Sequence, residues 1–258
     1  AVPGFTCLMY GMAWAGPEIV SALLDAGADP NCVNGVSRTD AFAMACKFAR
    51  VDNVKLWLKR FPNWCKEHCV RDLLSLTHSL PLFTHTHTHT FLEYQTLRKN
   101  TIDLPYLYHA AAASNRDRRI ELMELLFEAG SNIDERNSTC QNILVHTILT
   151  EDCDENILTY LFAKVKEFNC EYMFHEPMRF NGFIFKVLYN FLKCYVYMYG
   201  SPDEIERPLM FLIYNGMGCT PIHAAFTMGD MVAARMLINE GVDMFVKSDC
   251  GMTVLDFS

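Results

Sequence analysis

Apolar residues recur along this chain at helical spacing, in short runs that stop at glycine. Ile19, Leu23 and Leu24 lead to Gly27, Leu125, Leu126 and Phe127 lead to Gly130, and a third run ends at Gly241. This spacing predicts amphipathic helices, and a glycine directly after each predicts a left-handed cap that ends it. A longer apolar stretch from Gly182 to Gly200 approaches membrane-spanning length, but Lys186, Asn190 and Lys193 fall on one helical stripe within it. Each lysine would cost about 2.5 to 3.5 kcal/mol inside a bilayer. The stretch therefore reads as an amphipathic helix half buried in protein, with no membrane span.

The helical runs repeat. Thr220 and Thr253 lie 33 residues apart in matching contexts, and Gly241 follows Thr220 at the same distance, 21 residues, at which Gly27 follows Thr6. Thr39, in SRTDAFAMA, adds an in-phase mark 33 residues after Thr6. Self-similarity at such a period is the mark of stacked helical repeats.

The segment Thr220 to Ala225, TPIHAA, resembles the opening signature of the ankyrin repeat, whose period is about 33 residues. LYHAAA (Leu107 to Ala112) and ILVHTI (Ile143 to Ile148) are looser matches. The residue types have a physical logic. A threonine outside the helix can cap free N–H groups, and Pro221 suits the first turn because its missing N–H has no intrahelical partner to lose. Ala224 and Ala225 let helices approach closely. The resemblance implies that His223 bonds toward the threonine and the neighbouring loop. It also implies an all-α solenoid of ankyrin type, with stacked helix pairs joined by hairpin fingers and about six units.

Between the clean ends the repeat is disturbed. From Thr39 to Thr220 is 181 residues, not a whole number of periods. NRDRR (Asn115 to Arg119) reads as a short insertion between two helices, where extra residues are tolerated. Gly216 precedes Thr220 by only four residues, too few for a finger, so sequence is expected to be missing there or the packing to be non-standard. Three divisions result: ankyrin-like repeats over 1–64, a low-similarity insertion or degenerate repeat over 65–105, and ankyrin-like repeats over 106–258 with an irregular helical stretch at 165–217.

Composition narrows what such a chain can do. With 258 residues, 51% of them hydrophobic, it is long enough and apolar enough to bury a core. A net charge of −8 argues against a general nucleic-acid or anionic-membrane binder, since both partners demand basic surface. Eleven cysteines at irregular spacing, without a secretory start, indicate reduced thiols in a cytoplasmic or nuclear protein.

Residues 83 to 91, FTHTHTHTF, would place His85, His87 and His89 on one face of an extended chain, and CKEHC (Cys65 to Cys69) adds thiols nearby. The spacing fits no zinc knuckle, and an alternating AC dinucleotide tract encodes Thr-His repeats without selection on side chains, so no metal site is expected. His109, His146 and His223 read as structural histidines. EDCDE (Glu151 to Glu155) reads as a solvated turn. No catalytic motif is present, neither a nucleophile elbow, a P-loop, a dinucleotide fingerprint nor a zinc-protease helix. No enzyme activity and no cofactor are expected.

The resemblance implies a protein-interaction scaffold whose finger residues contact another protein. Carried over position by position, these are Cys32, Val33 and Asn34, then Glu135, Arg136 and Asn137, and Phe245, Val246 and Lys247. Phe245 stands where the family has a polar residue. The alternative is a regulatory or targeting arm of a larger enzyme or channel, of which this chain is a fragment. On that alternative, Met252, Val254, Leu255 and Phe257 would be exposed for want of a covering helix.

Overall fold

The computed structural model describes residues 4–34, 39–68, 104–137, 141–150, 153–179, helical residues at 190–191, 193–195 and 197–198, and 216–257. The chain divides into two compact units, Ala1–Asn137 and Ser138–Ser258. The regular elements among the described residues are helical, apart from one isolated antiparallel bridge between Val33 and Asp40.

The first unit stacks three helix pairs. Helix α1 (Cys7–Trp14) starts at Thr6, whose hydroxyl accepts the Met9 N–H at 3.2 Å, and α2 (Pro17–Asp25) starts with proline in its first turn. Gly27 ends α2 at φ +86°, the left-handed conformation that glycine adopts without a Cβ penalty. Helix α3 (Ala41–Lys47) is capped by Asp40, which accepts the Ala43 N–H at 2.6 Å, so the cap falls one residue after the in-phase Thr39. Helix α4 (Val51–Arg60) and a single turn α5 (Trp64–Glu67) follow. The third pair is α6 (Tyr106–Ala111) and α7 (Arg119–Glu128), and the NRDRR segment forms a 3-10 turn, Arg116–Arg118, between them.

Small residues govern this stacking. Ala41, Ala43, Ala45, Ala110 and Ala111 are buried, and through them α3 packs on α1 on one side and directly on α6 on the other. The second helices follow, α2 on α4 and α4 on α7, over a core that includes Val20, Val54, Trp57, Leu122 and Leu126. Each fully buried side chain of this size contributes about 1.5–3 kcal/mol. Residues 69–103, most of the segment read as an insertion or a degenerate repeat, lie outside the described residues.

The second unit holds α8 (Ile143–Ile148) with α9 (Glu155–Glu167), and α10 (Pro221–Thr227) with α11 (Met231–Asn239). Asn142, Asp154 and Asp230 cap α8, α9 and α11 through side-chain oxygens. Asp154 is thus a helix cap, where the sequence reading had only a solvated turn; Glu151 and Asp152 lie outside the described residues. Helix α8 packs on α10 and α9 on α11, the regular repeat arrangement.

This packing corrects the expectation of a lost finger before Thr220. After α9 the chain turns through Asn169 at φ +55° and a 3-10 turn, Glu171–Phe174, and residue 178 then pairs with the segment before α10. The Met178 N–H donates to the Cys219 carbonyl at 2.7 Å and the Gly218 N–H donates to the Met178 carbonyl at 2.8 Å. The finger is present, but its two sides lie about forty residues apart in sequence. Most of the predicted helix of 182–200 falls outside the described residues.

At the far end, residues 254–257 form a 3-10 turn packed on α10. Val254 is fully buried there while Leu255 is 59% exposed, so the expected row of exposed apolar residues is only partly exposed.

Candidate functional site

The repeat's signature residues act on its fingers. In α10 the Thr220 N–H donates to His223 Nδ1 at 3.2 Å, which leaves the proton on Nε2, 3.4 Å from the Met252 carbonyl. Burial pushes this imidazole's pKa down, so it stays neutral and ties helix to finger. Its two nitrogens are occupied by local partners, as expected for a structural histidine.

The looser signatures are in a different register from the one their histidines indicated. Three residues after the cap, the place of His223, stand Tyr108 in α6 and Val145 in α8. The Tyr108 hydroxyl donates to the Glu135 carbonyl at 2.8 Å, which is the same helix-to-finger bond made with a phenol. His109 and His146 lie one position further on and are half-buried. Burial pushes the His146 imidazole down to about 4. The missed signal was the capping position: Pro105 and Asn142 fill it in place of threonine.

The finger residues divide by exposure. Val33 (45% exposed), Phe245 (72%) and Lys247 present their side chains to solvent. Cys32, Arg136 and Val246 are half-buried; Cys32 donates to Asp29 at 3.4 Å, and Arg136 pairs with Asp134 at 3.0 Å. Asn34, Glu135 and Asn137 are buried, and serve the fingers' own architecture: the Asn34 N–H donates to the Thr39 carbonyl at 2.9 Å across the first finger. In the last finger, Asp243 accepts the Phe245 N–H at 2.8 Å, which fixes the backbone beneath the exposed ring.

A second surface was not anticipated. In the first unit Phe5, Tyr10, Trp14 and Phe48 form a row of rings with successive centroid separations of 5.7, 5.3 and 5.1 Å. Beside Phe48 lies a cleft of about 160 Å³ lined by Pro17, Arg50, Asp52, Asn53, Asn115 and Arg118. Arg50 donates to the Ala15 carbonyl at 2.8 Å, and Asn53 donates to Met12 and Ala15 carbonyls at 3.0 Å, so the end of α1 is held against α4.

Of the CKEHC segment, Cys65 is buried with its thiol pushed up to about 11, and His68 stacks on Trp64 at 3.8 Å. Among the described residues no three metal-binding side chains gather at one point. Cys69, His85, His87 and His89 lie outside them. Nor is any helix among the described residues long and apolar enough to cross a membrane.

Comparison with known proteins follows this geometry. The ankyrin repeat family model matches residues 3–35 and 217–249. A search of curated proteins gives no match. Among solved structures the chain is similar to the human ASB11 ankyrin repeat domain, at 14% identity and a TM-score of 0.44, over 98% of this chain and 92% of that one. With the family's unit matched at residues 3–35 and 217–249, and helix pairs of the same build stacked in each compact unit, the chain contains ankyrin repeats.

Proposed function

We propose that this chain is a non-catalytic scaffold that binds another protein through its fingers and the adjoining faces of its inner helices. Ankyrin repeats generally serve as protein-interaction modules, which supports the class of function. The observation that carries the reading here is Phe245, an exposed ring on a finger whose backbone is fixed by Asp243. A rigid, exposed aromatic loses little conformational freedom on binding and buries a large area, the attributes of an interface anchor. Lys247 shares this exposure on the same finger beside Val246, and in the first unit Val33 is the exposed finger residue, with Cys32 and Arg136 half-buried. The proposal includes a cytoplasmic or nuclear location, on the irregular cysteine spacing of the sequence.

A photo-crosslinking amino acid placed at position 245 tests it. The expected result is a discrete crosslinked partner in cell extract whose affinity for the purified chain falls by about 2 kcal/mol in Phe245→Ala. Equal affinity of the two proteins would remove Phe245 from the interface.

A further inference from the structure

The ring row of the first unit lies on its inner helices. Positions four, seven and eight residues after each cap lie along one face of the inner helices, and in α1, α3 and α6 they include Tyr10, Trp14, Lys47, Phe48 and His109 but no carboxylate. This occurs in a protein of net charge −8. Trp14 is 57% exposed, and Lys47 is exposed beside Phe48. The row ends at the cleft that holds Arg50 and Arg118; Arg118 is paired with Asp52 at 3.5 Å and with Glu121 at 3.2 Å, so Lys47 and Arg50 supply the positive charge of this end. Apolar rings that lead into a cationic end make a surface with two adjacent demands.

We propose that this ledge binds a peptide segment of a partner protein in which apolar side chains stand next to a carboxylate. Apolar side chains cover the faces of Tyr10, Trp14 and Phe48, and the carboxylate sits between Lys47 and Arg50. Charge complementarity selects this partner over a basic one, because like charges placed opposite Lys47 and Arg50 would repel. The inference rests on the protein-binding reading and names the chemistry of the partner.

A random peptide display library selected on the whole chain tests it, with parallel selections on Trp14→Ala and Lys47→Glu. Both side chains are exposed, and circular dichroism establishes that each variant is folded. The expected enrichment is in peptides with Asp or Glu beside Leu, Ile or an aromatic residue, falling about tenfold on Trp14→Ala. It should shift toward basic peptides on Lys47→Glu. Trp57 and Trp64 are buried, so a synthesised winner should shield Trp14, the exposed tryptophan, from acrylamide quenching. Peptides that bind Trp14→Ala equally well would overturn the ledge and leave the protein-binding reading standing, as would winners without acidic residues. Concentration-dependent dimerisation abolished by Trp14→Ala would also overturn it, by assigning the ledge to a second copy of the chain. A selection with no enriched peptide refutes the ledge, while crosslinking at Phe245 judges the broader reading separately.

Discussion

The Tyr106 hydroxyl donates a 2.6 Å hydrogen bond to Asp40, the carboxylate that caps the first helix of the preceding repeat. Tyr106 also accepts from Trp64 Nε1 at 3.1 Å, and its ring meets Phe42 edge-on at 4.8 Å. One side chain therefore joins the helix pairs α3–α4 and α6–α7 and the single turn α5. Burial pushes the Asp40 carboxyl up and the Tyr106 phenol well up, so each relies on the other for solvation lost on folding.

Removing that hydroxyl should cost more than an average hydrogen bond. Tyr106→Phe keeps the ring packing but leaves a buried carboxylate oxygen short of a donor, and is expected to lower stability by about 1–3 kcal/mol. Asp40→Asn keeps an oxygen for the Ala43 cap and avoids a buried charge, so it should cost less at neutral pH. Urea unfolding of the two variants checks the order.

Stability should fall on mild acidification because of His146. Its folded-state pKa of about 4 lies below the ordinary 6.5, so the unfolded chain takes up the proton first. The contribution is whole above pH 6.5 and is lost as pH falls toward 4, up to about 3 kcal/mol. His223, shifted the same way by burial, adds to the slope. The urea midpoint measured from pH 7.5 to 4.5 should drop less steeply in His146→Gln; an unchanged slope would contradict the assignment.

Ala49 sits at φ +48° where the last repeat has Gly229 at φ +66°, each nine residues after its helix cap. A left-handed alanine costs about 1–2 kcal/mol. Ala49→Gly should therefore raise stability, by up to about 1 kcal/mol after loss of the buried methyl, and Gly229→Ala should lower it by about 1 kcal/mol. A Cβ at Gly229 would meet nothing within 4 Å, so the second effect isolates backbone strain. Thermal melts of both variants supply the comparison.

The helix-to-finger bonds should be separable from helix stability. Tyr108→Phe removes the bond to the Glu135 carbonyl, and should cost about 1 kcal/mol. Amide exchange over residues 131–137 should accelerate while α3 and α4 stay protected. Uniform acceleration across the first unit would show instead that the bond supports the whole stack.

What local chemistry could reveal, the sequence revealed. Thr6, Thr220 and the glycine stops at 27, 130 and 241 mark the repeat because capping and left-handed termination act over a few residues and demand particular side chains. The histidine at 223 was legible for the same reason, since its partner Thr220 is three residues away.

Tertiary structure decided the rest, because the determining contacts are distant in sequence. Asp40, Pro105 and Asn142 replace threonine at helix starts, and only stacking showed that Tyr108 and Val145, not His109 and His146, take the place of His223. The finger before α10 depends on Met178 meeting Cys219, a pairing invisible to a count from Gly216. Neither Trp14's exposure beside Phe48 nor the burial of Asn34, Glu135 and Asn137 could be read from residue type, since exposure is set by which neighbouring repeats cover each position.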